Sequence, residues 1–245
     1  WNWKANGGTT TTNDASSTGV GSIDSVYQAN TTAGFSIVTY TGTGSAGSIA
    51  HGLGAVPKMI ITKTRSHSGD WMVYHGANTS APQTDFLKLN ETNATEDLNT
   101  VWNDTAPTSS VFTLGSNGDV NTSGRTQVAY CFAEVEGYSK IGSYLPNANA
   151  DGTFIYMGFQ PAWVMIKQTN GTTNWNIYDN TRRTFNGNDL ELYADLNNAE
   201  EDSGRDIDFL SNGIKLRSVN YMNVSGGTYI YMAFAEAPFK YANAR

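Results

Sequence analysis

Carboxylates that could do chemistry gather once in the sequence, at Glu200-Glu201-Asp202 with Asp206 and Asp208 close behind. Two such groups facing each other about 5 to 9.5 Å apart could cleave a glycosidic bond, and several oxygens together could hold Ca²⁺. Neighbours on one polar loop rarely converge that way, and Glu96-Asp97 repeats part of the cluster earlier in the chain. The expected reading is a solvated loop with a framework role, with no catalytic pair and no metal. His51, His67 and His75 are the only histidines, and no two have the spacing of a helical zinc site. No Gly-x-Ser-x-Gly sets a serine on a strained turn, and no Gly-x-x-x-x-Gly-Lys-Ser/Thr could cradle a phosphate. The single cysteine, Cys131, lies in an apolar run with no His or Lys beside it, so it reads as a buried core residue and not a reactive thiol. No cofactor is expected.

Recognition of a sugar needs aromatic platforms flanked by amides and carboxylates, and the chain has both. Trp71 and Trp175 hold equivalent places in an internal repeat described below, as do Tyr74 and Tyr178, which marks them as core. Trp102 and Tyr221 have no clear counterpart. They are the candidate ligand-binding residues.

The composition says what kind of surface surrounds these groups. The formal charge is −7 with a pI near 4.9, so a phosphate-bearing partner would be repelled, and nucleic acid is not expected as a partner. Charged residues make up 15%, below the roughly 25% of ordinary globular proteins, and Asn, Thr, Ser and Gly replace them. Aromatics at 12% are too many for a disordered chain. No run approaches the ~20 apolar residues of a membrane-spanning helix, so no membrane insertion is expected. The chain starts at Trp1 with neither an initiator methionine nor a leader pattern, which reads as a piece of a longer protein.

Residues 1–33, dominated beyond Trp3 by Gly, Thr, Asn and Ser, read as the end of an upstream element followed by a flexible linker. Beyond them, short Val-, Ile-, Tyr-, Phe- and Trp-rich segments alternate with Gly, Asn and Asp, and no apolar stripe keeps helical spacing. Asn117-Gly118 and Asn212-Gly213 are expected tight turns. An internal repeat organises the strands. Pro57-Lys-Met-Ile-Ile-Thr-Lys63 and Pro161-Ala-Trp-Val-Met-Ile-Lys167 lie 104 residues apart, and the same register carries Trp71-Met-Val-Tyr74 onto Trp175-Asn-Ile-Tyr178. Further on, Phe132-Ala-Glu134 answers Phe234-Ala-Glu236. Each Pro-led strand, apolar at successive positions, belongs in a sheet interior covered on both faces, and the alternating strand after it closes a hairpin. On the last strand the expected core face is Ile230, Met232 and Phe234, with Val128, Tyr130 and Phe132 in those places in the first copy. The expectation is an all-β chain of two tandem, jelly-roll-like β-sandwich domains, 34–136 and 137–245.

Gly137-Tyr-Ser-Lys-Ile-Gly-Ser-Tyr144, the run Asp151 to Lys167, Asn174-Trp-Asn-Ile-Tyr-Asp179, Asp206-Ile-Asp-Phe-Leu-Ser-Asn-Gly213 and the terminal Ala233 to Arg245 together resemble the C-terminal repeat region of virion structural and tail-fibre-like proteins of tailed bacteriophages, especially marine ones. In such proteins the region often follows a laminin-G-like or other β domain. The resemblance implies a non-enzymatic virion protein in a tail fibre or similar appendage. Its implied partners are other virion proteins and a host-surface glycan or protein, and its implied assembly, by analogy with fibres, is a homotrimer. A capsid decoration or head-fibre protein, a polysaccharide depolymerase and a carbohydrate-binding module are the alternatives.

Overall fold

The structure, a computed structural model, describes residues 3–5 and 7–237. Trp1 and the terminal stretch from residue 238, both used above, lie outside the described residues. The fold is all-β, and the chain divides into two compact units, Trp1–Lys88 with Glu96–Glu134, and Leu89–Thr95 with Val135–Arg245.

The first unit runs β1 (Thr11–Asn13), α1 (Ala15–Thr18), β2 (Ser25–Asn30), β3 (Phe35–Thr41), β4 (Gly47–Ala50), β5 (Met59–Thr64), β6 (Met72–His75), β7 (Asp85–Lys88), β8 (Glu96–Asp97), α2 (Asn99–Trp102), β9 (Val111–Leu114), α3 (Gly118–Asn121) and β10 (Thr126–Phe132). One antiparallel sheet has the order β1-β2-β3-β10-β5-β6-β7-β8, and β4 pairs with β9 in a second. The Pro-led strand β5 sits between β10 and β6, and Met59 to Thr62 are all buried, as its unbroken apolar run requires. Val38, Tyr40, Ile60, Met72 and Tyr74 of the large sheet share one core with Ile49, Phe112 and Leu114 of the small one. The two sheets are thus the faces of a sandwich.

Two expectations are corrected here. The stretch read as linker carries β1, α1 and β2, which extend the large sheet beyond β3. Its polar side chains order it locally: Asp14 caps α1 by accepting from the Ser17 N–H, the Asn13 amide donates to the Val20 carbonyl, and the Ala15 N–H donates to Asp24. The core face of β10 is also the reverse of the one expected. Ala129, Cys131 and Ala133 face the sandwich interior, where Trp102, Tyr74 and Phe112 supply the bulk, so small residues fit there. Val128 and Phe132 are buried on the opposite face, where Phe132 meets Phe35 and Trp3. A strand covered on both faces has two apolar faces, and size alone picks the wrong one.

The second unit runs β11 (Ser139–Tyr144), β12 (Phe154–Tyr156), β13 (Pro161–Gln168), β14 (Asn176–Asp179), β15 (Asn188–Tyr193), β16 (Glu201–Leu210), β17 (Gly213–Leu216), a 3-10 turn at Tyr221–Asn223, and β18 (Tyr229–Ala235). They form one antiparallel sheet in the order β11-β18-β13-β14-β15-β16-β17-β12. The ten-residue β16 is the bend: it pairs with β15 through a register shift and then with β17. The sheet folds over so that Ile155, Ile214 and Leu216 share a core with Tyr144, Val164, Ile166, Tyr229 and Tyr231. On β18 the interior face is Tyr229, Tyr231, Ala233 and Ala235, again the reverse of the expected one. Phe234 packs on the other side against Trp163 and Tyr138.

A tight turn forms beside the expected Asn212-Gly213 pair but one residue earlier, at Ser211 and Asn212, with Gly213 opening β17. Asn117 instead begins α3, its side chain accepting from the Asp119 N–H. Leu89–Thr95, read as part of the first repeat, belongs to the second unit, where Thr95 N–H donates to Thr169 C=O at 2.7 Å and Thr173 N–H to Thr92 C=O at 3.0 Å.

Candidate functional site

The acidic residues do not converge. Most of them lie along β16 and not on a loop, and alternate residues of a strand point to opposite faces. Glu200 pairs with Arg182 at 2.9 Å, Glu201 accepts from the Tyr193 hydroxyl at 3.0 Å, and buried Asp208 accepts from Arg217 Nε at 2.6 Å and from the Gly187 N–H at 3.0 Å. Glu96 lies 3.6 Å from Lys88. Glu96, Glu200, Glu201 and Asp208 thus each have a separate partner, and no two of them face each other across a shared site. No group of three metal-ligating side chains exists among the described residues.

His51, Cys131 and Lys167 are built into the core. His51 is fully buried, with Nδ1 accepting from the Leu53 N–H and Nε2 facing the Thr108 carbonyl, so the neutral ring carrying its proton on Nε2 satisfies both contacts, and burial lowers its pKa. Cys131 is fully buried, and burial pushes its thiol up to about 12. Lys167 is the least expected. Its ammonium is buried and donates to the Thr92 carbonyl at 3.0 Å and the Thr173 carbonyl at 2.6 Å, tying the β13–β14 loop and the 89–95 segment to the sheet. Lys63 makes the matching bond to the Gly69 carbonyl in the first unit.

Burial lowers Lys167 to about 8, only partly opposed by the charge of Asp195. Free lysine titrates near 10.4, so between about pH 8 and 10.4 the unfolded chain binds the extra proton and stability rises with pH. Urea midpoints from pH 7.5 to 9.5 are expected to climb for the native chain and to climb less for Lys167→Met. Equal slopes would show that the ammonium is not desolvated.

Of the two aromatic candidates, one is buried and one exposed. Trp102 is 2% exposed and packs edge-on to Tyr74 at 6.0 Å in the first unit's core, so it is not a recognition residue. It stands where α2 needs an apolar anchor, a role its isolated place in the sequence concealed. Tyr221 is 45% exposed, with a left-handed φ of 47° that costs a non-glycine residue on the order of 1 kcal/mol.

A buried amide network holds Tyr221 there. Loops 145–153, 169–175 and 217–228 meet at the end of the sandwich where β11, β13 and β17 finish. Asn223 is 1% exposed: its amide nitrogen reaches the Asn147 side-chain oxygen and the Asn149 and Ser218 carbonyls, at 3.0, 2.8 and 3.0 Å, while its oxygen accepts from the Asn147 N–H at 3.0 Å. Asn170 ties the third loop by donating to the Gly226 carbonyl and accepting from the Thr228 N–H. Beneath, Tyr144 and Tyr229 stack at 5.0 Å, and their hydroxyls donate to the Met222 and Tyr221 carbonyls. Asn121 does the same work in the first unit, donating to the Ser45 and Gly115 carbonyls and accepting from the Thr43 N–H. Sequence reasoning missed both asparagines, because one Asn among many in an Asn-rich chain carries no signal until the 102-residue offset of Asn121 and Asn223 is noticed.

On this framework Leu145, Val219, Tyr221 and Val224 are all exposed, Leu145 at 70%. The corresponding loops of the first unit, 42–46, 65–71 and 115–125, present no exposed large apolar residue among the described ones. Apolar side chains set on an ordered, amide-rich backbone can take up a sugar face or a partner's apolar side chain. A concavity of about 300 Å³ on the first unit is lined by Thr12, Asp24, Thr39, Thr41, Arg65 and Thr126 among others. Tyr40 borders it, but the Tyr40 hydroxyl is spent on the Val120 carbonyl. That groove offers hydroxyls without an aromatic platform.

No curated protein and no solved structure matches the chain. A family model described as a domain of unknown function, DUF7483, matches residues 1–238, spanning both units. The chain belongs to that family.

Proposed function

We propose that this chain is a non-enzymatic structural protein of a tailed-bacteriophage virion, part of a tail fibre or similar appendage. In this reading it is built of two tandem β-sandwich repeats and contacts a host-surface glycan or protein through the loop end of the second. The observation that carries the contact surface is the asymmetry between units: equivalent loops are polar in one and display Leu145, Val219, Tyr221 and Val224 in the other. Support for a tandem repeat comes from the strand orders. β3-β10-β5-β6-β7-β8 of the first unit and β11-β18-β13-β14-β15-β16 of the second hold repeat-matched strands in the same sequence, and the β4–β9 pair answers β12–β17. The bacteriophage assignment rests on the sequence resemblance. Separate partners for Glu96, Glu200, Glu201 and Asp208, in place of a facing pair of carboxylates, favour binding over hydrolysis as the role of the surface.

Gold-labelled antibody against the chain, applied to intact particles, is expected to mark an appendage tip. Label on the head would make it a capsid decoration protein. No label on particles would end the virion reading.

A further inference from the structure

The small sheet of the first unit shows how an open edge of this sandwich is completed. His51 N–H donates to the Ser110 carbonyl across the β4–β9 ladder, so by alternation Gly47 and Ile49 face β9 while the peptide groups of Ser48 and Ala50 point outward. An earlier segment of the chain takes up those groups. Ser22 and Ile23 N–H both donate to the Ser48 carbonyl, at 2.9 and 3.1 Å, the Ser48 N–H donates to Ser22 Oγ at 2.9 Å, and Ser25 Oγ donates to the Ala50 carbonyl at 3.4 Å. Ile23 bridges Ile49 in parallel, so two identical tripeptides, Gly21-Ser22-Ile23 and Gly47-Ser48-Ile49, lie side by side. Gly21 has φ 77°, and a Cβ there would sit 2.7 Å from the Ser48 oxygen, which makes glycine necessary. Ile23 then enters the core.

In the second unit β12 holds the place of β4. It pairs with β17, and Ile155 enters the core as Ile49 does. Leu216 N–H donates to the Thr153 carbonyl and Met157 N–H to the Asn212 carbonyl, so Thr153, Ile155 and Met157 face β17. The N–H and C=O groups of Phe154 and Tyr156 therefore point away from the sheet. Among the described residues no hydrogen bond reaches them, and β12 ends its sheet. Phe154 and Tyr156 are 41% and 64% exposed, and Lys215, opposite Phe154 in the ladder, belongs to a balanced network in which Lys215 and Arg217 pair with Asp151 and Asp208. Natural sheets blunt exposed edges with charge or proline, whereas this one displays two aromatic rings.

We propose that the β12 edge accepts an extended segment of a partner protein, added in parallel and of Gly-Ser-Ile chemistry: a glycine for close approach, a hydroxyl to accept an edge N–H, and a β-branched aliphatic side chain. The precedent is the chain's own Gly21-Ser22-Ile23 on the equivalent edge, and the locally neutral surroundings fit an uncharged strand. The proposal does not depend on the bacteriophage reading.

The probe is a synthetic peptide with the sequence of residues 19–25, titrated to millimolar concentration against the full chain. Saturable binding is expected, with hydrogen exchange of the Phe154 and Tyr156 amides slowed at least tenfold at saturation. Phe154→Pro removes one outward donor at an edge position, and Phe154→Lys places a charge there while keeping the backbone. Both are expected to abolish binding without shifting the thermal midpoint, and retention of binding by a folded Phe154→Lys chain would overturn the site. Absence of binding, protection confined to Gly47–Ala50, equal binding of a scrambled peptide, or concentration-dependent protection of β12 without peptide, which would make a second copy the occupant, would each overturn the proposal.

Discussion

Asn223→Ala is expected to destabilise the second unit by about 2 kcal/mol, because it takes the partner from several part-buried backbone groups at once. The Asn149 and Ser218 carbonyls and the Asn147 N–H all lose their partner, and an alanine methyl can replace none of them. An unsatisfied buried polar group costs about 1–3 kcal/mol, and partial access of water to the loosened loops brings the sum below a simple total. Against the 5–15 kcal/mol of a typical domain this is a large fraction. Asn223→Asp keeps the acceptor but loses both donors and buries a charge, so it is expected to be no better. Thermal unfolding followed by calorimetry checks the size. Hydrogen exchange in 145–149 and 217–224 checks the place, since those amides should lose protection first. Asn121→Ala should repeat the result in the first unit, through the Ser45 and Gly115 carbonyls and the Thr43 N–H.

Trp102→Ala is expected to cost about 4 kcal/mol, the usual range for an aromatic-to-alanine truncation in a closed core being roughly 3–5. The ring is buried beside Tyr74 and among Val101, Phe112 and Leu114. Its indole N–H has no hydrogen-bond partner, so Trp102→Phe loses only volume and should cost well under half as much. Urea unfolding of the two variants separates a packing role from a binding role. A Trp102→Ala chain of native stability would mean the indole is not core at all.

The parts of the fold that were legible in the sequence are those set by local pattern. An unbroken apolar run after a proline at Pro57 and Pro161 demanded a doubly covered strand, and Met59 to Thr62 of β5 and Pro161 to Lys167 of β13 are buried. Cys131 among apolar neighbours was correctly a core thiol. The failures have one physical source, dependence on partners distant in sequence. Residues 11–30 look like linker because Gly, Ser, Asn and Asp break up their few large apolar side chains, yet β3 supplies a ladder for β2 to join and β2 one for β1. The interior face of β10 is small because Trp102 and Phe112 arrive from elsewhere in the chain to fill it. Trp102 looked like a ligand residue because its repeat mate is absent, although absence of a mate says nothing about burial. Tyr221 was singled out for the same reason and is exposed, on a turn that the Asn223 side chain ties to the Ser218 carbonyl.

The loop end of the second unit is the proposed recognition surface, and competition for adsorption tests it most directly. The purified chain is added to susceptible bacteria before the particles. A variant carrying Val219→Ser, Tyr221→Ser and Val224→Ser alters only exposed positions and is expected to keep the native thermal midpoint. The native chain is expected to block adsorption in proportion to its concentration, while the variant needs at least tenfold more to do so. Equal blocking by the folded variant would contradict the assignment of this surface, and failure of the native chain to block at any concentration would contradict host contact itself.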